Sequence, residues 1–312
     1  MTSQPRILLF GGSGQVGTEL RARLGRLAEL TVVGRSDADL EDPESVRALV
    51  RRIRPQLVVN AAAYTAVDRA ESEPDRARLV NALSVGAMAD EVARSGGWLV
   101  HYSTDYVFDG GKPTGYAEDD PPGPLGVYGA TKLEGERLVA ASGCRHLILR
   151  TSWVFAAHGS NFVRTILRLA AERDELRIVA DQVGAPTSAG LIADVTTQCV
   201  TRLVAHHPDR PPPPAGLHHL AAGGETSWHG FATLVLDEAR RHGLPVRVPP
   251  AAVLPIPATH YPTPARRPAN SRLDTSRLRT ALGIELPDWQ EGVRDVVAAL
   301  ASARPVAPAT GT

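Results

Sequence analysis

Apolar residues along this chain fall into two alternating kinds of run. Ile7 to Phe10, Leu30 to Val33, Leu57 to Val59, Leu99 to Tyr102 and Leu147 to Leu149 are short and continuous, and each gives way to glycine or a polar residue. Runs without alternation suit parallel strands buried on both faces. The stretches between them carry apolar residues at helical spacing. Val16, Leu20, Leu24 and Leu27 share one face, as do Val46, Leu49, Val50 and Ile53. Strands alternating with such helices predict repeated βαβ units and an α/β fold with a doubly wound parallel sheet.

The rhythm changes after about residue 155. Phe162 to Ala171 reads as a helix, Arg177 to Ala180 as a short apolar piece, and Ala193 to Val204 as a helix returning to the main sheet. Four consecutive prolines within His207 to Ala215 exclude regular helix and central strand there and mark a surface linker. A helix over Trp228 to Arg241 precedes a proline-rich stretch to Pro268, and Ala303 to Thr312 reads as a disordered tail. No internal repeat is visible. The expected organisation is a dinucleotide-binding Rossmann domain, residues 1–155 plus about 190–222, and a smaller C-terminal α/β substrate-binding domain, about 156–189 plus 223–302, with 303–312 as tail.

Charge narrows the choice of partner. Across 312 residues there are 34 basic and 34 acidic side chains, so no broad positive field exists to hold nucleic acid. The two cysteines, Cys144 and Cys199, make no disulfide framework and suit a reducing cytoplasm. The first apolar run is too short for a signal peptide or a membrane span, so no membrane association is expected.

Candidate chemistry begins at Gly11-Gly12-Ser13-Gly14-Gln15-Val16-Gly17, between the first strand and the first helix. Glycines at three-residue spacing permit a tight turn, let backbone approach a pyrophosphate, and let helix pack closely on strand. The helix N-terminus then offers free N–H groups to phosphate. Gly11, Ser13, Gly14, Gln15, Val16 and Gly17 are therefore candidate cofactor contacts. After the second strand comes Val33-Gly34-Arg35. Arginine cannot accept from a ribose hydroxyl but can clasp a 2′-phosphate, so NADPH is the expected cofactor, with NADH also admissible. Asp39 and Leu40 stand where such folds line the adenine pocket, although Asp39 would equally serve to cap the next helix.

Tyr128 and Lys132 lie four residues apart, on one helical face. A tyrosine acid working near neutrality needs its pKa lowered by roughly three units, about 4 kcal/mol at ~1.36 kcal/mol per unit. A nearby ammonium and a cationic nicotinamide ring would supply this by favouring phenolate. Thr104, in Ser103-Thr104-Asp105-Tyr106, is expected at the carboxyl end of a strand, where open α/β sheets bind ligands.

Together these residues resemble the extended short-chain dehydrogenase/reductase family. The match narrows to its dTDP-4-dehydrorhamnose reductase branch through Asn60-Ala-Ala-Ala-Tyr64-Thr65, Ser103 to Gly110, Arg150-Thr-Ser-Trp153, Asp181 to Thr187, His219 to Trp228 and Arg267 to Asp274. It runs from about residue 6 to 300. The resemblance implies reduction of the C4 ketone of a dTDP-6-deoxy-4-keto-hexose. Tyr128 would donate the proton, Lys132 would tune it and hold the nicotinamide ribose, and Thr104 would assist at the oxygen. Asp105 would touch the sugar beside Tyr106, Trp153 would form an apolar wall, and Ala62, Ala63, Tyr64 and Thr65 would run along the cofactor. Asp109 to Val127 would cover the sugar, with Gln182 approaching from the other side. Arg267 would meet the diphosphate or brace the fold. Some relatives bind magnesium through glutamates; Gln15 stands where an acid would be needed, so no obligatory metal is expected. A monomer or homodimer is expected. A sugar-nucleotide epimerase or dehydratase, or a non-catalytic subunit resembling the regulatory subunit of methionine adenosyltransferase, are the alternatives.

Overall fold

The structure, a computed structural model, describes residues 4–204 and 214–303. Nearly all of the expected linker and tail therefore lies outside the described residues. Strand and helix alternate from the start as β1 (Arg6–Phe10), α1 (Gln15–Leu24), β2 (Glu29–Val33), α2 (Pro43–Ile53) and β3 (Leu57–Asn60). Two short helices, α3 (Val67–Ala70) and α4 (Pro74–Arg78), lead through a π-helical turn at Leu79–Leu83 into α5 (Ser84–Ser95). Then come β4 (Trp98–Thr104), α6 (Val127–Ala141), β5 (Arg145–Thr151) and the two-residue β6 (Val154–Phe155). The later chain adds α7 (Phe162–Glu172), β7 (Leu176–Val179), β8 (Val183–Gly184), β9 (Thr187–Ser188), α8 (Ala189–Val204) and β10 (Gly216–His219). Finally come β11 (Thr226–Ser227), α9 (Trp228–Arg241), β12 (Val253–Ile256), α10 (Ser276–Leu282) and α11 (Trp289–Ser302).

Six strands form one parallel sheet in the order β10-β5-β4-β3-β1-β2. Alternate residues of β1 point to opposite sides. Ile7 and Leu9 pack with Leu20 and Leu24 of α1 and Ile192 and Val200 of α8. Leu8 and Phe10 pack with Val46 and Leu49 of α2 and Met88 and Val92 of α5. This two-sided burial is why the strand reads as an unbroken apolar run. The winding reverses between β1 and β3, and the carboxyl ends of these strands open the crevice in which such sheets bind ligands. A third cluster uses none of the six strands. It gathers Phe155, Val163 and Ile166 of α7, Leu176 of β7, Phe231 and Val235 of α9, and Trp289 and Val293 of α11.

Three details depart from the sequence expectation. Strand β2 is the sheet edge, so Thr31 and Val32 are exposed rather than buried on both faces. Helix α1 stops at Leu24, where Gly25 closes onto the Arg21 carbonyl, and Leu27 is left 36% exposed beyond it. Asp42, not Asp39, caps α2 by accepting the Glu44 N–H, with Pro43 at the first helical position.

Helix α6 is seated by a buried ion pair. Arg150 of β5 donates Nε to Glu136 Oε1 at 2.8 Å and Nη2 to Oε2 at 2.6 Å, and both side chains are almost fully buried. The guanidinium also lies 5.0 Å from the centre of the Phe108 ring. Removing one member leaves the other charge buried and unpaired, a loss of about 3–5 kcal/mol. Glu136→Ala is expected to lower the unfolding free energy by about that amount, read as an earlier urea midpoint at unchanged slope. A change below ~1 kcal/mol would mean that α6 is held by other contacts.

Candidate active site

The crevice between β1 and β3 begins at the glycine turn. Gly11 has φ +76°, and a Cβ there would lie 2.5 Å from the Ala62 nitrogen, so no other residue fits between the two strand ends. A Cβ on Gly17 would sit 2.0 Å from the Gly11 carbonyl oxygen, so α1 reaches the turn through bare backbone. No side chain caps α1: its N-cap is Gly14, and Ser13 and Gly14 are exposed. An uncapped helix N-terminus over a glycine cradle is what a pyrophosphate requires, and the residues present fit that group. The Gln15 side chain turns away, accepting from Asn161 at 2.8 Å.

At the end of β2, Arg35 is exposed and paired with Asp39 at 3.3 Å and with Glu41, which Arg76 also holds at 2.8 Å. Asp39 accepts the Glu41 N–H, and this bond keeps its carboxyl below the usual range. Asp39 thus holds Arg35 in place. On the facing side, Ala61 to Thr65 leave β3 and are clamped by a side chain that sequence reasoning missed. Asn81 Oδ1 accepts from Tyr64 N at 2.8 Å, while its Nδ2 donates to Tyr64 O and to Thr131 of α6. The clamp comes from the π-helical turn, a distortion common at functional sites. An asparagine inside the otherwise apolar run Leu79 to Leu83 was the signal available, and the structure buries it fully. Tyr64 itself donates to Glu73 at 2.7 Å.

Thr104 ends β4 at the carboxyl edge of the sheet, as expected. Its hydroxyl donates to Asp105 Oδ1 at 3.0 Å and accepts from Tyr106 N at 3.2 Å. Tyr128 opens α6, with its ring edge-on to Tyr106 at 5.5 Å. Low-polarity surroundings push its phenol up to about 12, against a smaller downward pull from the Thr104 hydroxyl. The sequence argument anticipated a lowered value. That expectation was for a phenol with a nicotinamide cation beside it; in the protein alone burial dominates, and Lys132 is itself buried, donating to the Tyr102 carbonyl at 2.6 Å with His101 Nε2 at 3.3 Å. Burial brings Lys132 itself down to about 8, so it stays mostly ammonium at neutral pH and gives up its charge in mildly alkaline solution.

Trp153 occupies the left-handed region, at φ +48°, which is unusual for a bulky residue. It stacks on Trp228 with ring centres 3.6 Å apart and planes 12° apart. Gly184 leaves room for this, since a Cβ there would lie 2.7 Å from the Trp153 ring. Gln182 is not free: its Oε1 accepts from Trp228 Nε1 at 3.2 Å, so it supports the aromatic wall. Arg267 forms two bonds to Asp68, at 3.1 and 2.8 Å, and one to the Ala265 carbonyl, which is the bracing arrangement. The segment from Asp109 to Val127 is tied down by the late motif. Asn270 donates to the Lys112 and Thr114 carbonyls, both at 2.7 Å, and Tyr116 bridges to Leu273.

Residues 5–302 match the family described as RmlD substrate binding domain. The chain is 50% identical over 292 residues to dTDP-4-dehydrorhamnose reductase of Shigella flexneri, covering 92% of this chain and 95% of that protein. It is 48% identical over 290 residues to the enzyme of the same name from Burkholderia thailandensis, covering 92% and 96%. Among solved structures it is similar to dTDP-4-dehydrorhamnose reductase from Bacillus anthracis in complex with NADP. The TM-score is 0.83 at 32% identity, over 94% of this chain and 98% of that one.

Asp105 carries a measurable cost of the site. It is 2% exposed, its Oδ2 has no partner among the described residues, and burial pushes its carboxyl up to about 6. A carboxyl raised in the folded state binds more protons there than in the unfolded chain between about pH 4 and 6, so stability falls as pH rises through that window. Raised from 3.8 to about 6, this one group contributes a fall of order 3 kcal/mol. Asp105→Asn is expected to remove that component, so the difference in urea unfolding free energy between variant and wild type should grow with pH and level off above about 6. A difference independent of pH would show that Asp105 is not the titrating group.

Proposed function

We propose, for a chain that belongs to the RmlD substrate binding domain family, that Tyr128 gives its phenolic proton to the C4 carbonyl oxygen of a dTDP-4-keto-6-deoxyhexose. The chain is an NADPH-dependent oxidoreductase that reduces dTDP-4-dehydrorhamnose. The observation that carries the residue assignment is the meeting of Thr104, Asp105 and Tyr128 at the carboxyl edge beside the glycine crevice. When bound, the nicotinamide supplies a hydride to the carbonyl carbon. Gly11 to Gly17 and the N-terminus of α1 hold the pyrophosphate, Arg35 meets the 2′-phosphate, and the Ala62 to Thr65 strip lies along the dinucleotide.

A phenol pushed up to about 12 is fully protonated at neutral pH, which is the form a proton donor must have. An alkoxide is a stronger base than a phenolate, so transfer from the raised phenol still runs downhill. Thr104 donates to the same oxygen once it leaves Asp105, and Asp105 takes a sugar hydroxyl on its free Oδ2. The Trp153–Trp228 stack presents an apolar face to the sugar ring, and excluding water there strengthens every polar contact inside. Lys132 holds the nicotinamide ribose. Arg267 braces Asp68 and stands near Tyr106, at the end of the site where a diphosphate would lie. Buried cysteines and balanced charge fit a cytoplasmic enzyme that does not bind nucleic acid, acting as a monomer or homodimer. Among the described residues no helix is long and apolar enough to cross a membrane.

Tyr128→Phe is expected to abolish net oxidation of NADPH by dTDP-4-dehydrorhamnose while leaving NADPH binding, followed by fluorescence, nearly unchanged. Retention of more than about a tenth of the activity, a loss under ~1.4 kcal/mol, would remove the donor role. Arg35→Ala should weaken binding of NADPH and leave that of NADH unaltered; an equal loss for both would discard the 2′-phosphate contact.

A further inference from the structure

Behind Lys132 lies a line of buried polar groups that the reaction as described does not use. Asn60 at the end of β3 and His101 on β4 are in-register neighbours, 1% and 0% exposed. Asn60 Nδ2 lies 3.2 Å from His101 Nδ1, and His101 Nε2 lies 3.3 Å from Lys132 Nζ. The direction of each bond follows from what each atom has to offer. Asn60 Oδ1 accepts the Ala62 N–H at 3.1 Å, which fixes the amide and turns its NH2 toward the ring. His101 Nδ1 must then accept, so the proton of the neutral ring sits on Nε2. That N–H points at Lys132 Nζ, which already donates to the Tyr102 carbonyl. An ammonium has no lone pair to receive it; an amine has one.

We propose that His101, oriented by Asn60, favours the free amine of Lys132 in the cofactor-free protein, so that the amine prevails in mildly alkaline solution, and that Lys132 takes up a proton from solvent there when the dinucleotide binds. The second half rests on the reading of the crevice as a nicotinamide site. His101 is a positioning residue: it acts through Lys132 and touches neither substrate nor cofactor. The groups facing Lys132 are accounted for. On β4 they are His101 and the Tyr102 carbonyl. On α6, Tyr128 and Glu136 precede and follow it by one turn, and Glu136 draws the lysine toward its charged form but is already paired with Arg150 of β5. Burial favours neutral forms of both members of the contact, driving His101 well below its ordinary value and Lys132 to about 8. Protonation of Lys132 in the complex requires the ring proton to leave Nε2 or the amine to turn from it. Ribose hydroxyls, which accept from an ammonium, supply the reason to do so.

The chain has only two lysines, Lys112 and Lys132, so the state of Lys132 can be read directly. Protein labelled with 13C at lysine Cε, in the Lys112→Arg background, gives one lysine signal to follow against pH by NMR. In the cofactor-free wild-type pocket the midpoint is expected near 8. Saturating NADP+ should raise it by about one unit or more, with uptake of a fraction of a proton at pH 8.5, measured by calorimetry in two buffers of different ionisation enthalpy. Asn60→Asp supplies an acceptor for Nδ1–H, moves the ring proton, and should by itself raise the cofactor-free midpoint and abolish the uptake. It should also shift the limb that Lys132 places on the pH profile of kcat/KM, which a merely structural role would leave in place. A Lys132 signal that stays ammonium to pH 10 in the cofactor-free wild type, or an Asn60→Asp midpoint that does not rise, overturns the proposal. If Asn60→Asp does not fold, the wild-type titration still decides. Failure of NADP+ to bind at all would instead remove the cofactor reading while leaving the cofactor-free titration to judge the amine.

Discussion

The paired bonds between Arg150 and Glu136 fix where α6 crosses the sheet, and most of the site inherits its geometry from that crossing. Tyr128 and Lys132 are both on α6, so their heights above β4 are set together. Thr131, between them, receives the Asn81 clamp that also pins Tyr64, so the strip along the crevice is referenced to the same helix. A charge pair in so dry a place holds its direction well, because any tilt lengthens two bonds and leaves a charge without a partner. Hydrophobic packing fills the layers around α6 but is not directional; the ion pair supplies the missing orientation.

Much of this was legible in the chain. Continuous apolar runs marked β1, β3, β4 and β5 because strands buried on both faces leave no polar positions to alternate. The places of the glycine turn, Arg35, Thr104, Tyr128 and Lys132 in the fold were legible because a strand-to-helix turn, a strand end and one helical face each leave a mark in spacing. Less visible was anything that depends on which groups surround a side chain. The upward shift of Tyr128 follows from burial, which spacing does not reveal. His101 and Asn60 sit inside apolar strands and carry no periodic signature. Trp228 and Gln182 join only because β8 pairs with β11 across about forty residues of chain. Edge position, which exposes β2, is likewise a property of sheet order rather than of composition.

Unfavourable local conformations and charges gather where the sheet opens. Trp153 is held in a left-handed backbone, Asp105 is buried with one oxygen unpartnered, and Lys132 is buried without a carboxylate bonded to it. Each alone lowers stability, and each is retained in place by rigid surroundings. Groups prepared in this way gain most when a polar ligand arrives, since the ligand completes bonds that the folded chain leaves open.

The path of the chain sets the order in which these parts can be made. Strand β10 seals the edge of the sheet against β5, yet some sixty residues of chain separate the two. The third apolar cluster is not closed until α11, whose Trp289, Val293 and Val297 come last among its buried members. A chain emerging from the ribosome would therefore complete β1 to β5 early and then carry α7 and α9 with their apolar faces uncovered until α11 appears. Losing all of α11, Trp289 included, would strike at the Trp153–Trp228 stack by way of Phe231, which meets Trp289 on one side and Trp228 on the other.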